Sequence, residues 1–141
     1  SPLADLAEGG FRAVIPDDNA RSAKRLVLCS GRVYFDLVFE RKEAGLTDRV
    51  AIARVEQFYP VPDREIAALI AGLSGLTEVV WAQDEPRNQG AWRFMAWHLK
   101  NLTALPITYA GRPESASPAT GFATVHAAQS DSLIKAALGI D

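Results

Sequence analysis

Two arginines each follow a short apolar run, at places where an anion could be met. Arg32 comes after Arg25-Leu26-Val27-Leu28-Cys29 and Ser30-Gly31, and Arg87 comes after Glu78 to Gln83 and Asp84-Glu85-Pro86. A Ser-Gly pair that opens a helix after a strand offers backbone N–H groups and the positive end of the helix dipole. The same residues also read as an ordinary N-cap with solvated arginines, and spacing alone does not separate the two. Neither G-x-G-x-x-G nor G-x-x-x-x-G-K-[ST] occurs, so both standard phosphate-loop fingerprints are missing.

Nucleophilic and metal chemistry have little support. Cys29 ends an apolar run, where a lone cysteine behaves as a small hydrophobe. His98 and His126 show no H-x-x-x-H or C-x-x-C spacing, so a metal site is not expected. Asp84-Glu85 has the composition of a general acid/base pair and equally that of a solvated loop. Trp81, Trp92 and Trp97 have no basic stripe beside them, which suits a core or subunit interface better than a base-stacking platform.

These residues need elements to position them, and the apolar pattern supplies a regular alternation. Strands are expected at Arg25–Cys29, Val50–Val55, Glu78–Gln83 and Ile107–Ala110. Helices are expected at about Arg32–Ala44, Asp63–Leu73, Ala91–Leu102 and Thr124–Leu138. Gly45 reads as a helix stop. The first helix carries Val33, Tyr34, Phe35, Leu37, Val38 and Phe39, so it should be pressed deeply against a sheet or another subunit. The second carries Ile66, Leu69, Ile70 and Leu73 on one face, the third Trp92, Met95, Ala96, Leu99 and Leu102. In the last helix Leu133, Ala136, Ala137 and Ile140 form the expected stripe. Asp84–Gly90 and Gly111–Gly121 read as polar loops, and Phe58-Tyr59-Pro60-Val61-Pro62 as a stiff connector.

Four strand–helix repeats imply a mostly parallel sheet covered on both faces, whose ligands would sit beyond the carboxyl ends of the strands. Phe11–Ile15 would add an edge strand, antiparallel if it pairs there. Residues 1–23 read as an arm or linker with this short strand, leading into an α/β domain over 24–141.

The bulk properties narrow the function classes. The 141 residues suffice for one cored domain, and a net charge of −2 gives no footprint for nucleic acid or an anionic membrane. No uncharged apolar run reaches membrane-spanning length. Ser1-Pro2-Leu3-Ala4-Asp5 lacks the basic and apolar regions of a signal peptide. One cysteine excludes an internal disulfide and suits a reducing compartment. A soluble cytoplasmic domain, or one of the mitochondrial matrix, is therefore expected.

Four blocks taken together carry a more specific signal. They are Leu28-Cys29-Ser30-Gly31-Arg32-Val33-Tyr34-Phe35-Asp36-Leu37, Val50 to Pro60 with Arg54-Val55-Glu56-Gln57-Phe58-Tyr59-Pro60, Trp81 to Trp92, and Tyr109 to Gly121. In this order and spacing the chain resembles the C-terminal domain of the decarboxylating, first component of 2-oxoglutarate dehydrogenase. Gly10 to Ile15 resembles the arm leading into that domain, and the resemblance covers essentially the whole chain.

The resemblance implies a transketolase-like C-terminal fold: an α/β/α three-layer domain with a mostly parallel five-stranded sheet and one antiparallel strand. It implies an organising role in the tricarboxylic acid cycle dehydrogenase, an oxidoreductase. Thiamin diphosphate and Mg²⁺ would bind to other domains of the intact enzyme and none to this one, which alone should be inactive and holds no catalytic residue. Implied partners are the remaining domains, a second subunit of a homodimer and the succinyltransferase component of the multienzyme complex. Some relatives bind allosteric acetyl-CoA at the strand ends, and by alignment the corresponding residues are Ala13, Cys29, Arg32, Gln83, Pro86 and Arg87. Arg32 stands where relatives have lysine, Ala13 and Cys29 replace hydroxyl residues, and Arg87 replaces a small residue. The alternatives are a free-standing CoA-ester or adenine-nucleotide-binding regulatory module and a purely structural piece.

Overall fold

The computed structural model describes residues 13–17, 22–112 and 123–140. Phe11-Arg12, Asp18-Asn19 and Pro113 to Gly121, on which some expectations rest, lie outside the described residues. Among those described, the elements are β1 (Val14–Ile15), β2 (Arg25–Cys29), α1 (Val33–Glu43), β3 (Val50–Val55), α2 (Asp63–Ala71), β4 (Glu78–Pro86), α3 (Trp92–Leu102), β5 (Ile107–Arg112) and α4 (Ala123–Leu138). One five-stranded sheet has the order β1-β3-β2-β4-β5. All its pairings are parallel except β1 with β3, where Val14 faces Val55 and Ile15 faces Arg54. The expected class and the antiparallel edge strand are both observed.

The strands alternate which side they feed. Leu26, Leu28, Ala51, Ala53, Val55, Val79 and Trp81 pack with Ile66 of α2 and with Met95 and Leu99 of α3. Val27, Cys29, Val50, Ile52, Val80 and Ala82 pack on the other side with Val33 and Leu37 of α1 and with Leu133, Ile134, Ala137 and Leu138 of α4. Both faces are thus apolar, which is why β2 reads as an unbroken hydrophobic run rather than as an alternating one.

Gly45 ends α1 at φ +69°. It lets the Leu46 N–H turn back onto the Arg41 carbonyl at 2.9 Å, satisfying an otherwise open helix end. At the same helix the buried Arg41 donates to the Val50 carbonyl at 2.9 Å and pairs with Asp17. Asp17 in turn accepts from the Ile52 N–H at 3.1 Å, covering the part of β3 that β1 is too short to pair.

Three expectations need correction. First, the sheet covers only one side of α1: Val33, Leu37 and Arg41 face inward, while Phe35 is 61% and Phe39 65% exposed within this chain. Residues four apart share a helix face, and a residue two further on lies nearly opposite it, so one sheet cannot cover both sets. Second, the inward stripe of α4 is Leu133, Ile134, Ala137 and Leu138; Ala136 is exposed. Third, β4 and β5 run past Gln83 and Ala110 to Pro86 and Arg112, so part of each expected loop is strand. The cause of that extension is Arg112. Buried to 5% exposure, it donates from Nε to the Asp84 carbonyl at 2.8 Å and from Nη2 to Asp84 Oδ1 at 3.0 Å. It also reaches Gln129 and Ser130 of α4 at 2.9 and 2.7 Å, so one guanidinium ties together two strands and a helix.

Leu37→Ala should therefore lower unfolding free energy by about 2–5 kcal/mol, whereas Phe39→Ser should change it by less than about 1 kcal/mol. Arg112→Met, which removes the links joining β4, β5 and α4, should cost about 2–4 kcal/mol. Urea unfolding followed by far-UV circular dichroism checks all three; a Phe39 variant as damaging as the Leu37 one would contradict the assignment of faces.

Candidate functional site

The central strand β2 is flanked by β3 and β4, both parallel to it. The chain leaves β2 toward the α1–α4 side and leaves β4 toward the α2–α3 side, so the two departures diverge. Such a switch point opens a crevice beyond the strand ends. All six residues singled out in the sequence lie along this carboxyl edge. The structure sorts them into two groups.

The first group lies toward β3 and α1. Because β1 runs antiparallel, Ala13 comes to the carboxyl end of β3, where its carbonyl accepts from the Glu56 N–H at 2.7 Å. Cys29 closes β2 fully buried, its Sγ donating to the Ala53 carbonyl at 3.7 Å. Burial drives this thiol from 9.0 up to about 12, with Arg54 opposing and Glu56 reinforcing the shift. The thiol therefore stays protonated at neutral pH. Arg32 occupies the N-cap of α1 and is exposed, with no side-chain cap hydrogen bond there. The serine does not cap this helix end, and the Tyr34 and Phe35 N–H groups bond back to the Gly31 and Arg32 carbonyls at 3.3 and 3.2 Å.

The second group lies toward β5 and α3 and is organised by one amide. Gln83 is 3% exposed. Its Oε1 accepts from Trp81 Nε1 at 2.9 Å and from the Trp92 N–H at 3.0 Å. Its Nε2 donates toward the carbonyls of Glu85, Pro86 and Gln89 at 3.1, 2.9 and 2.8 Å. Oxygen and nitrogen both carry protein partners, so Gln83 shapes the turn. Gly90, at φ +66°, sits so close that a Cβ there would lie 3.1 Å from Gln83 Oε1. Pro86 is buried within this turn, and its carbonyl also receives the Gln89 N–H at 2.8 Å. Arg87 is exposed at the outer side, its guanidinium 5.2 Å from the Tyr109 ring centre and 5.9 Å from that of Trp92. Burial raises the Tyr109 hydroxyl above its ordinary 10.0, with the Gln83 hydrogen bond and Arg87 opposing. That hydroxyl donates to the Arg112 carbonyl at 2.6 Å.

Of the other candidates, Asp84 is engaged with Arg112, which leaves no free carboxylate pair with Glu85. His98 Nδ1 lies 2.9 Å from Asp63 Oδ1, joining α3 to α2. Among the described residues no three His, Cys, Asp or Glu side chains are grouped to hold a metal. No helix among them is long and apolar enough to cross a membrane. The tryptophans divide: Trp81 is core, Trp92 borders the turn, and Trp97 is 66% exposed.

Sequence reasoning set Glu56 to Tyr59 among the strand-end segments open to a ligand but passed over Arg54 beside it. Arg54 and Glu56 form an ion pair at 2.8 Å beside Cys29, and Arg54 lies 4.8 Å from the Tyr34 ring centre. The available signal was a charge breaking the apolar run Val50 to Ala53 just before the strand ends.

Gln83→Leu should cost about 2–3 kcal/mol, because it removes the acceptor of an indole N–H and a backbone N–H and the donor to the Gln89 carbonyl. Hydrogen exchange should speed up at the Gln89 and Trp92 amides well before the β2 amides; uniform exchange would contradict the turn-setting role. For Cys29 the unfolded thiol ionises near 9.0 while the folded one holds its proton to about 12. Its contribution is complete below 9 and is lost as pH rises toward 12. Melting temperatures taken from about pH 8 to 10.5 should fall less steeply in Cys29→Ala, and equal slopes would refute this burial effect.

The family described as 2-oxoglutarate dehydrogenase C-terminal matches residues 1–138. The chain is 49% identical over 142 residues to a 2-oxoglutarate dehydrogenase E1 component from Cupriavidus necator, covering 97% of this chain and 15% of that protein. It is 43% identical over 148 residues to the Azotobacter vinelandii E1 component, covering 99% and 16% respectively. Against the Brucella ovis E1 component it is 47% identical over 160 residues, again 99% and 16%. It thus spans about one-sixth of the length of these relatives. Among solved structures, "Split gene transketolase, inactive beta4 tetramer" superposes with a TM-score of 0.63 at 13% identity, covering 92% of this chain and 41% of that one. That likeness is one of fold: the transketolase C-terminal type of mixed sheet. By the family match along nearly its whole length, the chain belongs to the 2-oxoglutarate dehydrogenase C-terminal family.

Proposed function

We propose that this chain is the organising C-terminal domain of a thiamin-diphosphate-dependent 2-oxoglutarate dehydrogenase, and that its carboxyl edge receives acetyl-CoA or another adenosine phosphate. The whole enzyme would decarboxylate 2-oxoglutarate and pass the succinyl group to a lipoyl group of the succinyltransferase component. The chemical step in this reading falls to the other domains of the enzyme. In this reading residues 1–23 are the arm from the preceding domains, and the enzyme works in a bacterial cytoplasm.

The observation that carries the binding half of the proposal is the contrast between Gln83 and the two arginines. Gln83 is saturated, whereas Arg32 and Arg87 stand exposed on either side of the crevice where α1 and α3 depart. The turn set by Gln83 holds Arg87 against Tyr109 and Trp92, which limits the entropy lost when it meets an anion. Ala13 and Cys29 offer no free side-chain donor, so recognition rests on charge and backbone N–H groups. The organising half is supported by exposed aromatics on both sides of the sheet, Phe35 and Phe39 of α1 and Phe94 and Trp97 of α3. Exposed aromatic side chains suit contact with the remaining domains and a second subunit.

Calorimetric titration of the chain with acetyl-CoA should show saturable binding. Arg32→Ala should weaken it about 10- to 100-fold, the value of a charged hydrogen bond. No heat at millimolar acetyl-CoA or AMP would remove the binding half. Failure of the intact enzyme, with its cofactor domains, to turn over 2-oxoglutarate would remove the rest.

A further inference from the structure

We infer that Arg54 is an anion-binding residue of the carboxyl edge, held in place by Glu56 until a phosphate group displaces the carboxylate. The inference deepens the reading of that edge as an adenosine-phosphate site and rests on it.

Position comes first. In the sheet register Arg54 stands opposite Cys29 on one side and Ile15 on the other. It therefore bridges the ends of β1 and β2, between Ala13 and the Ser30-Gly31-Arg32 turn. Even-numbered residues of β3 face α1, as Val50 and Ile52 do. Arg54 follows them, and its guanidinium lies 4.8 Å from the Tyr34 ring and 5.5 Å from the Phe35 ring in the first turn of α1. Arg32 at the N-cap and Arg54 thus both stand at one helix end, although only one was apparent from the loop sequence.

Hydrogen bonding comes second. Arg54 Nη2 is 2.8 Å from Glu56 Oε1, yet Arg54 Nε is shielded from solvent and has no hydrogen-bond partner. Glu56 Oε1 is also shielded and makes no well-directed hydrogen bond despite the ion pair. The pair is close in charge but mismatched in direction. A tetrahedral phosphate can take Nε and Nη together in the forked geometry that this carboxylate misses. Arg41 is the instructive contrast. Its Nε is likewise unpaired, but its side chain is 7% exposed and pinned between Asp17 and the Val50 carbonyl. Arg54, at 27%, remains within reach of a ligand.

The exchange predicts opposite effects from the two members of the pair. Acetyl-CoA, AMP and inorganic phosphate are titrated into the wild-type chain, Arg54→Gln, Arg54→Lys, Glu56→Gln and Arg32→Ala. Glu56→Gln should tighten acetyl-CoA and phosphate binding about 3- to 10-fold by removing the competing carboxylate. Arg54→Gln should weaken both at least about 10-fold, with Arg54→Lys in between because it keeps the charge and loses the fork. Thermal melts confirm folding, and if Arg54→Gln does not fold the Lys and Glu56 variants decide. Arg54→Gln binding within about twofold of wild type, while Arg32→Ala has lost it, would overturn the inference and leave the nucleotide reading standing. Weaker binding in Glu56→Gln would overturn the exchange. No binding of any of the three probes by wild type or Glu56→Gln would overturn both.

Discussion

A parallel sheet covered on both faces sets the terms for this domain. β2 is hydrogen-bonded to β3 and β4, and its side chains enter apolar layers on both sides. With the interior closed, polar chemistry has only the strand ends to occupy. The reversal of strand order about β2 then sends α1 and α3 to opposite faces, and the crevice between their origins follows from chain topology rather than from any individual residue. Every residue given a ligand-binding role above lies on that edge.

Along the edge, buried polar groups hold shape and exposed ones are available for contact. Gln83 is a neutral amide, so burying it costs only its hydrogen bonds, and these are all returned. Arg112 is charged, and its burial is offset by an Asp84 carboxylate and carbonyl together with two side chains of α4. Arg32 and Arg87 remain exposed, and Arg54 is intermediate, paired and yet incompletely hydrogen-bonded. This gradation separates architecture from recognition more sharply than residue type does.

The strand–helix rhythm and the edge strand were legible because period and apolar run length are local properties. Gly45 was legible too, since its φ is one that other residues resist. What escaped was set by contacts distant in sequence. Asp84, Glu85 and Pro86 have loop composition and become strand because Arg112, 28 positions from Asp84, binds that segment. Phe35 and Phe39 counted toward an apolar helix, yet the helical repeat turns them away from the sheet. Gln83 stood out through family resemblance, but its bonds to Trp81, Trp92 and Gln89, which make it the organiser of the turn, were not readable from spacing. Arg54 lay inside a block that matched the family and drew no attention, because the importance of a charge at a strand end depends on what the register places beside it.

The central claim is that the carboxyl edge is a binding surface complete within this chain. Backbone amide shifts of the ¹⁵N-labelled protein, followed as acetyl-CoA is added, test it most directly. The account predicts changes concentrated at Ala13-Val14, Ser30 to Val33, Arg54 to Glu56 and Arg87-Asn88, with Phe39 and Trp97 unmoved. Shifts centred on the outward faces of α1 or α3, with the strand-end amides still, would contradict it.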